Sequence, residues 1–590
     1  HYIFFSLLVS PFYFYFTSFP CNLGLHFYDN TPFFGKENWQ PDFLTERDNV
    51  VPETGTSPCK TNCPAHISVQ GYLKKASEGK YAEALEIIKK ENPFPAVCGS
   101  VCARFCEQVC TRGDQDEAVA IDEVKKFIAE QDMNANIRFV PMKKNHEGEK
   151  IAVIGAGPAG LSCAYYLAVY GHQVTVFEKE AKAGGMMQFG IPAFRLEKDV
   201  VDAEIDVIKA LGVEIRTGVE IGKDITLEEL RTQGYKGFYV AIGAQGGRKL
   251  EIDGEDGDGV ISGIDFLRKV AMKEMNPLHG KVIVVGGGNV AIDVARTARR
   301  FGGEAVSMFC LEDRDHMPAA ADEVEEAEEE QILIHCGWGP KEILLENGKV
   351  KGIVFKKCLS VKDPDGRFNP RYDENDVKTV ACDFVLSAIG QSIQWNHLLA
   401  GTKIELNRNN TAKADSWTYQ TAQKDVFVGG DAYTGPRFAI DAIAAGKEGA
   451  ESLHRFVWEG HSLTLGRVKR DNYKYFDKDN LVLPEYNNAK RQKPGRDSSK
   501  ALSFKDERRT FTAEQVKKET ARCLGCGAAR VDQNICIGCG LCTTRCEFDA
   551  ITIARKYDAW GVPYEKLVGA IIKDTVLKVG RTIAGTFKQE

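Results

Sequence analysis

At 590 residues the chain is too long for a single core, and three or four domains are expected. A hydrophobic fraction of 43% and a charged fraction of 27% are those of a globular protein, and a net charge of -7 gives no reason to expect nucleic-acid binding. Of the eighteen cysteines, six lie between Cys59 and Cys110 and six between Cys523 and Cys546, a crowding that points to metal clusters in a reducing cytosol rather than to secreted disulfides.

Taken in chain order, His1 to Phe19 is uncharged, aromatic-rich and broken by Pro11, with no basic leader. Residues 1–45 therefore read as an extension outside the folded domains rather than as a signal or membrane anchor. From 46 to 145 the text is helical: Tyr81, Ala84, Leu85 and Ile88, then Val119, Ile121, Val124 and Ile128, recur at helical spacing. At 146 it becomes β-α-β. The run Ile151-Ala-Val-Ile leads into Gly155-Ala-Gly157-Pro-Ala-Gly160, and the next apolar run ends on Glu178. A buried strand, a glycine turn and a helix N-terminus are the parts that hold a pyrophosphate, and the following acid can hold a ribose hydroxyl.

The pattern returns at Val282-Ile-Val-Val-Gly286-Gly-Gly288-Asn289-Val-Ala291, with Glu312 after the run Ala305–Leu311. Two such fingerprints in series mean one flavin and one nicotinamide. The expected architecture is α/β, with two Rossmann-like dinucleotide-binding domains. The FAD-binding domain takes 146–261 and 387–460, and the NAD(P)H-binding domain 262–386 lies between its halves. The polar, Lys- and Arg-rich stretch 461–515 suits a linker, and 516–590 reads as a ferredoxin-like domain. There Cys536-x2-Cys539-x2-Cys542-x3-Cys546 has the spacing of a bacterial [4Fe–4S] ferredoxin, and Cys523-x2-Cys526 could add ligands. A zinc knuckle is the competing reading of these cysteines. The acidic run Asp322–Glu330 reads as a solvated helix face. Cys163, Cys310, Cys336, Cys358 and Cys382 are isolated and read as small buried hydrophobes.

Residues 55–460 resemble the small subunit of glutamate synthase and its relatives, including the N-terminal half of dihydropyrimidine dehydrogenase. The likeness rests on Cys59-x3-Cys63-Pro64, Cys98-Gly-Ser-Val-Cys102, Cys106-Glu107, both glycine fingerprints, Gly190-Ile-Pro-Ala-Phe-Arg195-Leu, Met317-Pro318-Ala319 and Gly430-Asp431-Ala. The resemblance implies FAD on Gly155, Gly157, Gly160, Glu178 and Gly185, with Asp431 beside Gly430 reaching toward its ribityl-phosphate portion and Arg195 near its ring. It implies the nicotinamide on Gly286, Gly288, Asn289 and Ala291. It also implies that Cys63, Cys102, Cys106 and Cys110 hold one [4Fe–4S] cluster. The family's fuller form has a second cluster, which needs an Arg-Cys-x-x-Cys pair upstream of Cys59. None is present there, so Cys59 and Cys98 are left without a role.

The expected function is an oxidoreductase that passes electrons between NAD(P)H, FAD and [4Fe–4S] clusters to a partner subunit or ferredoxin, in either direction. The alternative is a non-catalytic wiring subunit of a larger redox complex of the hydrogenase or formate dehydrogenase type. Hydride transfer needs alignment and no proton donor, so no catalytic base is assigned. NADPH-using relatives carry paired arginines a few residues before Met-Pro; here those positions are Leu311 and Glu312. A carboxylate there repels a 2′-phosphate and accepts from a free ribose diol, so NADH is the expected nucleotide, with Arg314 as the residue that could reverse the choice.

Overall fold

The computed structural model describes residues 55–144, 148–458, 461–465, 467, 476–478, 487–527 and 537–545, with short stretches at 568–569, 571–573 and 575–577. The 1–45 extension lies outside the described residues. The chain divides into two units, His1–Ala528 and Ala529–Glu590.

The N-terminal helical region is built from helices Val69–Ser77, Tyr81–Lys89, Pro95–Val101 and Ile121–Met133, with single turns at Pro58–Thr61 and Phe105–Gln108. Its apolar stripe, including Leu85, Ile88, Val97 and Val124, joins a core that continues into Tyr166, Ile205 and Ile208 of the flavin fold. The two regions therefore share one interior. A carboxylate fixes the joint: Glu204, wholly buried on helix Lys198–Ala210, accepts hydrogen bonds from Ala96 N (3.0 Å) and Val97 N (3.1 Å). These are orphan N–H groups at the start of the helix that carries Cys98.

Burial pushes the Glu204 carboxyl from 4.5 up to about 7, outweighing Lys89 and the two amides. The folded state thus holds this proton to higher pH than the unfolded chain. The group's contribution to stability is full below pH 4.5 and falls as pH rises toward about 7. Glu204→Gln should flatten that slope in thermal unfolding followed across this window. Glu204→Ala, which strands two buried donors, should cost about 1–3 kcal/mol. An unchanged pH profile in the Gln variant would assign the slope elsewhere.

The first nucleotide fold opens with β1 (Lys150–Ile154), β2 (Gln173–Glu178), β3 (Glu214–Thr217) and β4 (Gly237–Val240). The chain leaves through β5 (Gly246–Gly247) and builds a second sheet from β6 (Val260–Ser262), β7 (Gly280–Val285), β8 (Gly303–Cys310) and β9 (Leu333–Cys336). Three antiparallel strands follow, β10 (Trp338–Glu346), β11 (Lys349–Lys362) and β12 (Phe368–Ala381). β13 (Phe384–Ser387) re-enters the second sheet, β14 (Gln391–Ser392) pairs with β5 on the way back, and β15 (Val426–Val428) closes the first. The strand orders are β15-β4-β1-β2-β3 and β6-β13-β7-β8-β9, parallel throughout. Both faces of these sheets are covered, which is why β1 and β7 read as continuous apolar runs. The β10–β12 sheet has no counterpart in the sequence reading. It stacks Phe355 on Phe309 of β8, centroids 4.0 Å apart and planes 8° from parallel.

The proposed linker needs correction. Residues 487–527 are not a solvated tether but a strap packed on the helical region, ending in helix Ala513–Thr520. Arg491 pairs with Glu107 (2.6 Å), and Arg508 pairs with Glu123 (3.2 Å) while donating to Gly99 O (2.8 Å). Arg491 and Arg508 are thus satisfied internally, with their stems along the protein, whereas Arg496, Lys505 and Arg509 stay exposed. The acidic helix Ala321–Glu329 is likewise engaged: Glu326 and Glu330 grip Arg296, and Glu330 also grips Arg300. No helix among the described residues is long and apolar enough to cross a membrane.

Candidate active site

The two fingerprints have the same division of labour among their glycines. Gly155 follows β1 at φ +102°, and a side chain there would strike the Ala241 carbonyl; Gly286 follows β7 at φ +143° against the Ala388 carbonyl. These positions serve the turn itself. Gly157 and Gly288 differ. Each caps a helix N-terminus, Pro158–Val169 and Asn289–Arg300. A Cβ on Gly157 would meet only the Gly185 Cα at 4.0 Å, and one on Gly288 would meet nothing within 4 Å. The protein does not need glycine there; a ligand approaching the helix does. Gly160 and Ala291 sit one turn in, where the helix packs on its own loop: a Cβ on Gly160 would strike the Gly155 carbonyl, and Ala291 is wholly buried.

Glu178 ends β2 and is buried, accepting from Ala156 N (2.7 Å) and Glu180 N (2.9 Å). Burial raises its carboxyl above the ordinary range. Asp431, beside Gly430, accepts from Arg437 N at 3.1 Å, and burial pushes it up to about 6. In the second fold Asn289 Oδ1 accepts from Ala320 N at 2.9 Å, fixing the Met317–Ala320 turn over the helix start. Glu312 lies at the fingerprint as expected: a Cβ on Gly287 would stand 2.9 Å from its Oε2. Arg314 instead pairs with Glu328 at 2.7 Å.

One cleft of about 1350 Å³ connects these parts. Its walls include Gly155, Gly157, Glu178, Gly185, Gly430 and Asp431 from the first fold, and Asn289, Asp293 and Pro318 from the second. Cys102, Ala103, Arg104 and Phe105 of the helical region line the same space. Glu312 and Arg314 are outside this lining. Arg195 lines it without being free: its Nη1 lies 2.7 and 2.8 Å from the Asp293 oxygens, and its Nη2 lies 2.5 Å from Glu323. Sequence reasoning placed Arg195 at the flavin and missed this clamp between the two folds. The signal was the Asp293 carboxylate inside an apolar helix face, which needs a partner.

The N-terminal cysteines sort into two sets. Burial pushes the thiols of Cys63, Cys98, Cys102 and Cys106 up, and the buried Lys125 opposes the rise in each; Cys63 adds to the rise in Cys102 and Cys106, and Cys102 to that in Cys98 and Cys106. Cys110 does not join them. It lines a separate small pocket with Cys59, Cys523 and Cys526. Cys98, one helical turn before Cys102, stands in the fourth place of the first set. Among the described residues no three His, Cys, Asp or Glu side chains are drawn close enough to hold a single metal ion.

In the second unit Cys539 and Cys542 are exposed, and Cys536 and Cys546 lie outside the described residues. Cys163 is buried in its helix as expected. Cys310 and Cys336 are not isolated: the β8–β9 register sets them opposite one another, away from the cleft. No cysteine pair lines the cleft among the described residues.

The comparisons with known proteins agree with this geometry. Residues 149–446 match the model of the pyridine nucleotide-disulphide oxidoreductases. Residues 53–137 match dihydropyrimidine dehydrogenase domain II, a 4Fe-4S cluster domain, and residues 529–552 match a 4Fe-4S binding domain. The chain is 34% identical over 506 residues to the NADP(+)-dependent formate dehydrogenase subunit beta of Moorella thermoacetica, covering 80% of this chain and 70% of that one. It is 33% identical to the NADPH-Fe(3+) oxidoreductase subunit beta of Geobacter sulfurreducens, covering 80% and 75%. It is 31% identical over 424 residues to the glutamate synthase [NADPH] small chain of Escherichia coli, covering 68% and 89%. FAD, a nicotinamide nucleotide and 4Fe–4S clusters are the cofactors these matches imply. The chain belongs to the pyridine nucleotide-disulphide oxidoreductase family, as a member with iron–sulfur domains on either side of its nucleotide folds.

Proposed function

We propose that this oxidoreductase exchanges electrons between NADH and a partner redox subunit or ferredoxin in the cytoplasm. The observation that carries the reading is the single cleft walled by both fingerprints and by Cys102. Gly157 and Gly288 leave room for two pyrophosphates, and Glu178 and Asp431 stand where the first ligand's polar groups would lie. Cys63, Cys98, Cys102 and Cys106 would hold one cluster at the cleft wall, and Cys536, Cys539, Cys542 and Cys546 another. FAD bound there would convert a two-electron hydride into the single electrons that an iron–sulfur centre accepts. The Arg195–Asp293–Glu323 clamp keeps the two folds in register, which is the alignment hydride transfer requires. The names of two relatives as beta subunits support a place in a larger complex.

The nucleotide choice separates this chain from those relatives, whose names specify NADP or NADPH. Glu312 faces Gly287, and Arg314 is held by Glu328. Two like charges near 4 Å repel by about 1 kcal/mol in water and about 4 kcal/mol at an effective dielectric of 20. A kcat/KM at least about tenfold higher for NADH than for NADPH is therefore expected, since about 1.4 kcal/mol corresponds to a factor of ten. The same assay, read as anaerobic bleaching of the flavin and reduction of a dye, tests catalysis itself. Glu312→Arg should narrow or reverse the ratio. Preference for NADPH in the unaltered protein would give Arg314 control of the pocket. No bleaching by either nucleotide would favour a wiring subunit.

A further inference from the structure

We propose that Cys59, Cys110, Cys523 and Cys526 hold a further iron–sulfur cluster, whose ligand pair Cys523-x-x-Cys526 is delivered to the helical region by the strap. Neither segment matched to an iron–sulfur family, 53–137 or 529–552, contains this pair. The four sulfurs come from three stretches of chain and meet in one small pocket closed by Val69, Leu73, Val119 and Ile121.

The strap is seated there by a network with no slack. Arg522 is wholly buried, pairs with Glu519 (2.7 Å) and Asp116 (3.1 Å), and donates to Ala118 O (3.2 Å), Glu117 O (2.6 Å) and Ala489 O (2.9 Å). Glu519 in turn accepts from Ala120 N at 2.8 Å, and Arg112 donates to Arg522 O at 3.3 Å. Gln70 donates to the Cys526 carbonyl. Burying that much charge is costly unless the pairing is complete, and here it positions the residue next to Cys523.

The pocket fits a cluster by its chemistry as well. Its lining brings four cysteine sulfurs together against apolar side chains, which is the donor set of a [4Fe–4S] centre. Transfer of a preassembled [4Fe–4S] centre from a thiolate-liganded carrier exchanges four Fe–S bonds to the carrier for four to these cysteines, whose four protons pass to the departing thiolates, with no change of redox state. The inference rests on the iron–sulfur reading above. It leaves the Cys536–Cys546 run to serve its own cluster, so the ends of the chain carry three sets of four cysteines.

The test counts iron and sulfide in full-length protein purified anaerobically, which depends on neither nucleotide nor flavin. Three clusters give about twelve iron atoms per chain. The Cys523→Ser/Cys526→Ser and Cys539→Ser/Cys542→Ser double variants should each lose about four, with different signals missing from their reduced EPR spectra. Retention of all iron in the first variant overturns the proposal. So does loss of the same signal from both, which would give the pair to the tail, or stoichiometric zinc in the unaltered protein. Should the first variant fail to fold, metal-free protein treated with diamide provides a second readout. A disulfide joining Cys59 or Cys110 to Cys523 or Cys526, found by peptide mass spectrometry, supports the shared pocket. Disulfides only within the 523–546 stretch overturn it.

Discussion

Gly157→Val is expected to purify with its iron but without flavin, and to lose reduction of dyes by NADH. The position has ordinary extended backbone as the cap of helix Pro158–Val169, and the nearest atom to an added Cβ is 4.0 Å away. Nothing in the protein therefore resists the side chain. It would stand where a pyrophosphate must approach the helix N-terminus, costing at least about a hundredfold in affinity, or ~2.7 kcal/mol. Gly288→Val should do the same to the nicotinamide, leaving a flavin that dithionite reduces and NADH does not. Gly155→Ala is the contrasting variant. Its backbone at φ +102° and the nearby Ala241 carbonyl predict loss of thermal stability as well as loss of ligand. Flavin content is read from absorbance after denaturation. Stoichiometric FAD in Gly157→Val would remove the first fingerprint from the binding site.

Arg522→Ala is expected to release the strap. Removing one partner from a buried, fully hydrogen-bonded ion network costs about 3–5 kcal/mol, because Glu519 remains as an uncompensated charge, while Asp116 keeps its pair with Arg112. Glu519 is itself wholly buried and would keep only its amide donors, Ala120 N and Gln492 N. Since a chain of several domains does not unfold in one step, limited proteolysis is the better measurement. Cleavage between Lys490 and Arg509 should become fast in the variant while the nucleotide folds resist. Arg522→Lys should rescue little, since one ammonium cannot reach the five acceptors that the guanidinium serves. A wild-type cleavage pattern in Arg522→Ala would mean that the strap is held by its apolar contacts, Phe511 and Val516 among them.

The two nucleotide folds were legible in the sequence because their signals are local. A parallel strand covered on both faces must be a run of apolar residues, and a tight turn into a helix must be glycine, so Val282–Val285 and Gly286 declare themselves within a few residues. The acids Glu178 and Glu312 follow at a fixed offset for the same reason; the cleft takes in the first turn and Glu178 but only Asn289 and Val290 of the second fingerprint. The β10–β12 sheet was missed because β12, half exposed and rich in acid and lysine, carries little apolar pattern, and the short run Ile353–Phe355 of β11 could not by itself show which strands flank it. The Arg195 clamp was missed because its partners lie about a hundred residues along the chain.

By itself, then, the sequence determined the chemistry this protein carries: two dinucleotide-binding folds in tandem, and cysteines in numbers and spacings that suit iron. Only the tertiary structure decided how the cysteines are grouped. Cys106 and Cys110 look like neighbours in one motif, yet only Cys110 lines the pocket shared with Cys59, Cys523 and Cys526. Cys523 and Cys526 look like part of the tail, yet Arg522 anchors them beside Cys59. Spacing along the chain reports what one helix or turn can bring together. Ligands gathered from distant segments are set by buried charge pairs and shared apolar cores, whose partners no local pattern names.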